Sequence, residues 1–197
     1  RDKLASTAIL EARSRIELDQ HGEALDVLRR AQDRFPDDAT LLREESLLWL
    51  RLELYQAALD AGMAYLDRIE DDPMAWLAIG AALRDAGRLD DAAAVLEEGA
   101  LLYPDHPDML VHLAFTYRQM QTPLAAARLF ERAWVLTGEY PLETGEQYRL
   151  AKRTSEALRM NALVTDRPAQ MRQRLAILMD AQRYEEVAAL EPRFERL

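Results

Sequence analysis

Three histidines, a large set of carboxylates and a few serines are the side chains of this chain that could carry out reactions, and their spacing decides whether they do. His21, His106 and His112 are the only histidines. His106 falls in the turn-rich "YPDHPD", and His112 has no second ligand four residues on, so neither matches a helical metal site. The paired acids Asp90-Asp91 and Glu97-Glu98 are adjacent, so they point to different parts of a helix surface and read as solvated charge. Ser6, Ser14, Ser46 and Ser155 have no base at a recognisable spacing. Phosphate-loop, zinc-protease and nucleophile-elbow patterns are absent. No residue is assigned to catalysis, to a cofactor or to a metal, and the chain reads as non-enzymatic.

Composition narrows the remaining classes. A formal charge of −10 and a pI near 4.9 oppose bulk attraction to nucleic acid or anionic membrane, because phosphate recognition needs a basic surface. No cysteine is present, which removes disulfides and thiolate chemistry and is compatible with either redox compartment. The hydrophobic share of 49% is enough to build a core. No apolar run reaches the roughly 20 residues needed to span a bilayer. A secretory leader is not seen either. The chain starts at Arg1 and closes on "EPRFERL" still in helical pattern, so it is expected to be a piece of a longer protein.

The elements that would position any site follow from a repeat. Ala24, Ala58, Ala92 and Ala126 stand at intervals of 34 residues, each followed by similar apolar spacing. The stretch "WLAIGAALRDAGRLDDAAAVLEEGALLYP" shows the unit: Trp76, Ile79, Gly80 and Leu83 on one helix, Gly87 at a turn, then Leu89, Ala92, Leu96 and Gly99 on a second, with Pro104 beyond it. Gly80 and Ala92 are small where two helices would cross closely, with Trp76, Leu83 and Leu96 filling the space beside them. Gly87 can take positive φ and close the turn. Pro104 ends one helix and Pro107 suits the first turn of the next. Aspartates in "PDD" and "EDDP" are placed to cap helices. Trp49 and Trp76 fall on packing positions and Trp134 near a helix end. Met160, Met171 and Met179 read as adaptable packing.

In these residues and this period the sequence resembles the tetratricopeptide repeat family. The following unit fits through Leu110, Leu113, Ala114, Tyr117, Ala126, Phe130 and Ala133. The preceding one fits through Leu42, Trp49, Tyr55 and Ala58, but has Gly62 and Tyr65 where the family prefers Phe and Ala. The first unit fits in its second helix (Ala24, Leu28, Ala31, Pro36) and poorly in its first, where Ile9 and Ile16 stand outside the packing register. After Gly138 the register drifts. Gly145, Tyr148, Ala157 and Val164 mark a fifth unit about three residues short, and Met171, Leu175, Leu178, Tyr184 and Val187 a sixth. The resemblance implies an all-α, right-handed solenoid of about twelve helices over residues 1–197, regular over 1–138 and degenerate over 139–197, and expected to be a fragment of a longer array.

The family's functional surface is the concave groove lined by first helices. Carried over position by position, it comprises Thr40, Arg43, Leu47, Leu50 and Arg51; Met74, Leu77, Ala81, Arg84 and Asp85; and Asp108, Val111, Phe115, Arg118 and Gln119. Arg43, Arg51, Arg84 and Arg118 would flank an apolar strip of Leu47, Leu77, Val111 and Phe115, with Arg84 and Arg118 exposed. Such a strip suits an acidic partner, either a peptide segment or a folded enzyme with an acidic surface. The alternative is that the arginines pair with local acids such as Asp85, Asp108 or Glu53 and do nothing else. The family's clamp for chaperone tails needs Lys and Asn in this groove. The matching places here hold Arg43, Leu47, Leu77, Ala81, Val111 and Phe115, which disfavours that role.

The resemblance therefore implies a non-catalytic protein-interaction scaffold. In composition the chain is also similar to the periplasmic repeat regions of Gram-negative outer-membrane exopolysaccharide export proteins, which act in biofilm formation. A cytoplasmic adaptor, or an accessory domain of an enzyme whose catalytic part lies elsewhere, fits equally. Direct polysaccharide binding is disfavoured, since the groove offers few planar aromatics. Uncapped ends could also pair two copies as a homodimer.

Overall fold

A computed structural model describes residues 2–69 and 72–190, the side chains of residues 2–4 aside. "EPRFERL" (191–197) lies outside the described residues, as do Glu70 and Asp71 of "EDDP". Among the described residues there are twelve helices and no strand: α1 (Asp2–Glu17), α2 (His21–Arg34), α3 (Thr40–Arg51), α4 (Tyr55–Leu66), α5 (Pro73–Asp85), α6 (Leu89–Leu102), α7 (Pro107–Gln119), α8 (Pro123–Thr137), α9 (Pro141–Leu150), α10 (Thr154–Asn161), α11 (Arg167–Asp180) and α12 (Tyr184–Ala188). The expected all-α class and helix number are met. The chain divides into two compact units, residues 1–95 and 96–197, each described by itself.

Helix starts follow their sequence signals. Asp72 accepts from the backbone N–H groups of Met74 and Ala75 at 3.0 and 3.3 Å, and Asp38 from that of Thr40 at 3.1 Å. Pro73, Pro107, Pro123 and Pro141 open α5, α7, α8 and α9, where the missing N–H has no intrahelical partner to lose.

The turn inside each hairpin repeats with a geometry that composition conceals. Asp19, Glu53, Gly87, Gln121, Lys152 and Gln182 all have φ between 57° and 77°. In each case the next residue's N–H reaches back five residues, as in Arg88 to Leu83 and Arg153 to Tyr148, at 2.9 and 2.8 Å. This is the Schellman closure, and glycine occupies its left-handed position only at Gly87. The first four of these residues lie 34 apart, Lys152 follows Gln121 by 31, and Gln182 follows Lys152 by 30. The late units are therefore short by three and four residues, which the ten-residue α9 and eight-residue α10 reflect.

In the first unit α1 pairs with α2 and α3 with α4, while α1, α3 and α5 pack along one side. Its main core cluster joins Ala12, Ala24, Leu25, Leu28, Ala31, Leu41 and Leu48. Ile9 and Ile16 pack against that cluster, although the sequence placed them outside the register. The helix crossing is direct at Ser46, whose hydroxyl donates to the Ala58 carbonyl at 2.7 Å. Gly62 departs from the family pattern because a Cβ there would stand 3.1 Å from Ser46 Oγ and 3.3 Å from Ile79 Cγ2.

In the second unit α7 packs on α8, α8 on α9, α9 on α10 and α11, and α11 on α12. One cluster gathers Leu110, Val111, Ala114, Ala126, Phe130 and Ala133. A second gathers Ala127, Tyr148, Ala157, Met160 and Ile177, with Trp134 against it. Buried amides join α9, α10 and α11. Asn161 Nδ2 donates to Gln173 Oε1 at 3.1 Å, and Gln173 Nε2 to the Leu142 carbonyl at 2.6 Å. A Cβ on Gly145 would meet that Gln173 nitrogen at 3.0 Å.

Two stability outcomes are expected. Glu53→Gly and Lys152→Gly should each stabilise by about 0.5–1 kcal/mol and raise the melting temperature by a few degrees, because glycine takes positive φ without steric cost. An unchanged or lower Tm for both would show that the turns are unstrained. Gly145→Ala should cost about 1–3 kcal/mol in chemical denaturation, because Gln173 must leave its carbonyl partner.

Candidate functional site

In the first unit, the side formed by α1, α3 and α5 presents five of the eight groove residues expected from sequence. Arg43, Leu47 and Arg51 follow at four-residue steps along α3 and so share a face. Leu47 is 39% exposed, with Met74 of α5 also exposed. Leu77 is 4% exposed and belongs to the core, not to a surface strip. The side chain of Arg84, expected to be exposed, is 14% exposed and paired with Asp85 at 3.2 Å. Both corrections share a reason. The family position gives the direction of a side chain, while its depth depends on what the neighbouring helices bring.

The electrostatic centre of this face is Glu44, which sequence reasoning did not select. It is buried, and it receives Arg13 of α1 through Nε at 2.9 Å and Nη2 at 2.8 Å. Arg43 Nη2 adds a third bond at 3.1 Å. Burial by itself pushes this carboxyl up, but the hydrogen bonds and charges of Arg13 and Arg43 prevail and hold it below the ordinary carboxylate range. Two guanidinium groups share one carboxylate, so one positive charge is left over beside Leu47. Arg51 of α3 pairs with Glu17 of α1 at 3.2 Å, with both side chains more than half exposed. Arg13 and Glu17 were missed because α1 fits the family pattern poorly. The signal was present, since Ala12, Ser46, Gly80 and Ala114 keep the 34-residue interval of the crossing position.

The remaining three expected residues lie in the second unit. Val111 is 5% exposed and is part of the α7–α8 core, a further correction to the apolar strip. Phe115 is partly buried and meets Phe130 edge to face, with centroids 5.1 Å apart. Arg118 is exposed and lies over the Phe115 ring at 4.6 Å, a cation–π contact that covers the aromatic face. Nearby, the Tyr117 hydroxyl donates to Glu97 and the Tyr148 hydroxyl to Glu131, which also pairs with Arg159. Burial, reinforced by the acceptor carboxylate, pushes each of these phenols up to about 12. They therefore stay neutral donors at physiological pH, and each hydroxyl bonds its carboxylate as a strut between helices.

His21 Nε2 contacts Asp19 at 2.8 Å, and His106 sits at the N-terminus of α7. Among the described residues no three His, Cys, Asp or Glu side chains are placed to hold a metal ion, and no helix is long and apolar enough to cross a membrane.

The depressed carboxyl has a measurable consequence. A lowered folded pKa contributes stability that is fully present above the unfolded value of about 4.3 and is lost as pH falls through the folded value. Glu44→Gln should therefore be less stable than the parent at pH 7, by about 1–3 kcal/mol. That gap should narrow as pH falls below about 4 in parallel denaturation curves. A gap that does not change with pH would show that Glu44 contributes packing alone.

Comparison with known proteins follows this geometry. The tetratricopeptide repeat family matches residues 73–116. A tetratricopeptide repeat protein of Parabacteroides merdae superposes with a TM-score of 0.63 at 16% identity, covering 97% of this chain and 79% of that one. MamA gives 0.60 at 13% identity, covering 94% and 97%. PilF of Pseudomonas aeruginosa gives 0.57 at 17%, covering 100% and 92%. No curated protein matches the sequence. At these identities the likeness is one of fold and assigns neither partner nor compartment. Residues 73–116 match the tetratricopeptide repeat, and the fold of the chain is that of a tetratricopeptide repeat protein.

Proposed function

We propose that this chain is a non-catalytic scaffold that binds an acidic segment of a partner protein on the α1–α3–α5 side of its first unit. The observation that carries this reading is the sharing of the buried Glu44 by Arg13 and Arg43, whose side chains remain 54% and 39% exposed. In a protein of net charge −10, this leaves a fixed positive charge next to the exposed Leu47. A guanidinium already oriented by one carboxylate can accept a second from a ligand with little further loss of rotamer freedom. Leu47 and Met74 supply the apolar contact that converts charge attraction into a docked geometry. Arg51, paired with Glu17, stands farther along the same face of α3. Arg118 and Phe115 satisfy one another in the second unit and are not needed for this site.

Selection of binders from a displayed library of short peptides tests the reading. Acidic sequences carrying one or two apolar anchors should be enriched. Leu47→Glu should weaken the selected peptides by more than about tenfold, because it puts a like charge at the centre of the face. Its melting temperature should stay close to the parent's, since Leu47 is partly solvated. Arg128→Glu, on an exposed position of α8, serves as the control and should leave binding unchanged. Enrichment without acidic bias, or equal binding by Leu47→Glu, would reject the site.

A further inference from the structure

The last turns of α6 and α8 end in apolar side chains that nothing in the second unit covers. Leu101 and Leu102 are 82% and 58% exposed, and Val135 and Leu136 are 71% and 45% exposed. Leu101 and Val135 stand 34 residues apart, as do Leu102 and Leu136, so both pairs hold the same place in successive second helices. Arg132 Nη2 donates to the Pro104 carbonyl at 2.9 Å, which ties the end of α8 to the chain leaving α6. The same places in the two preceding repeats read Asp33-Arg34 and Asp67-Arg68, as a solvated helix end should. Four exposed aliphatic side chains at the ends of two successive second helices are the kind of surface that association removes from water.

The charges beside the patch identify what covers it. One turn earlier, α6 presents Glu98 and α8 presents Arg132, both exposed and again 34 residues apart. A surface acidic on one helix and basic on its parallel neighbour is its own complement under a two-fold rotation about an axis parallel to the helices. We propose that the chain self-associates through this surface, α6 of one copy lying on α8 of the other. Leu101 and Leu102 then pack on Val135 and Leu136 of the second copy, and Glu98 meets Arg132 twice, once on each side of the axis. This arrangement sets no like charges of Glu98 and Arg132 against each other. This surface is distinct from the binding face of the first unit and does not depend on it.

Sedimentation velocity of the whole chain tests the proposal, over concentrations from about 1 μM to 1 mM at low salt. A monomer–dimer equilibrium is expected. Leu101→Asp with Val135→Asp should weaken the dimer by at least about tenfold while helicity and melting stay those of the parent. Glu98→Arg should weaken it by a similar factor, and Glu98→Arg with Arg132→Glu should restore it to within about threefold of the parent. A chain that stays monomeric throughout would overturn the proposal. So would a dimer indifferent to the Asp pair, which would place self-association on another surface, or a charge-swapped double variant no tighter than the single one.

Discussion

The close crossing of two helices within each hairpin is the constraint on which the rest of this structure depends. At the crossing the first helix carries Ala12, Ser46, Gly80, Ala114 or Gly145, and the second carries Ala24, Ala58, Ala92, Ala126 or Ala157. Every one of these residues is buried. The distance is short enough for a serine hydroxyl on one helix to reach a backbone carbonyl on the other, as Ser46 does to Ala58. Once backbones approach this closely, the larger side chains Leu28, Leu48 and Phe130 are forced to the flanks of the crossing, where they become the fully buried core. A larger residue at the crossing would push the helices apart and open gaps around every flanking side chain at once.

The turns obey the crossing, and not the reverse. A left-handed residue closes each of the six hairpins, yet five of those residues carry a β-carbon. Asp, Glu, Gln and Lys are held in this region at a cost because two backbone hydrogen bonds and the packing of both helices depend on it. Local preference is therefore overridden by tertiary contact. For the same reason the turn was legible in the sequence only where glycine marks it, at Gly87.

The alanine interval made the helix hairpins, their order and their number readable, because a close crossing tolerates so few residue types. It also carried the shortening of the fifth unit, which the turn spacing then measures as three residues. What escaped was depth and partnership. Leu77, Val111 and Arg84 occupy positions that face the groove on average, but the first two are buried here and the third pairs with its neighbour Asp85. The α1 helix was undervalued because its large residues depart from the family pattern. Its small residue at the crossing, Ala12, was the better guide, since shape at that point admits fewer substitutions than hydrophobicity elsewhere.

Glu44 shows why the proposed binding face was hard to see and why its charge cannot be read from composition. A buried carboxylate in an acidic protein suggests a negative site, but here two guanidinium groups outnumber it. By drawing Arg13 from α1 and Arg43 from α3 to one point, it fixes two guanidinium groups against each other at a separation that repulsion would otherwise prevent. Removing the carboxylate would free both arginines and disperse the positive charge they make together. Removing one arginine would still leave the carboxylate paired. The single acid, more than either base, therefore fixes where these two guanidinium groups sit, and it does so while joining the first two repeats.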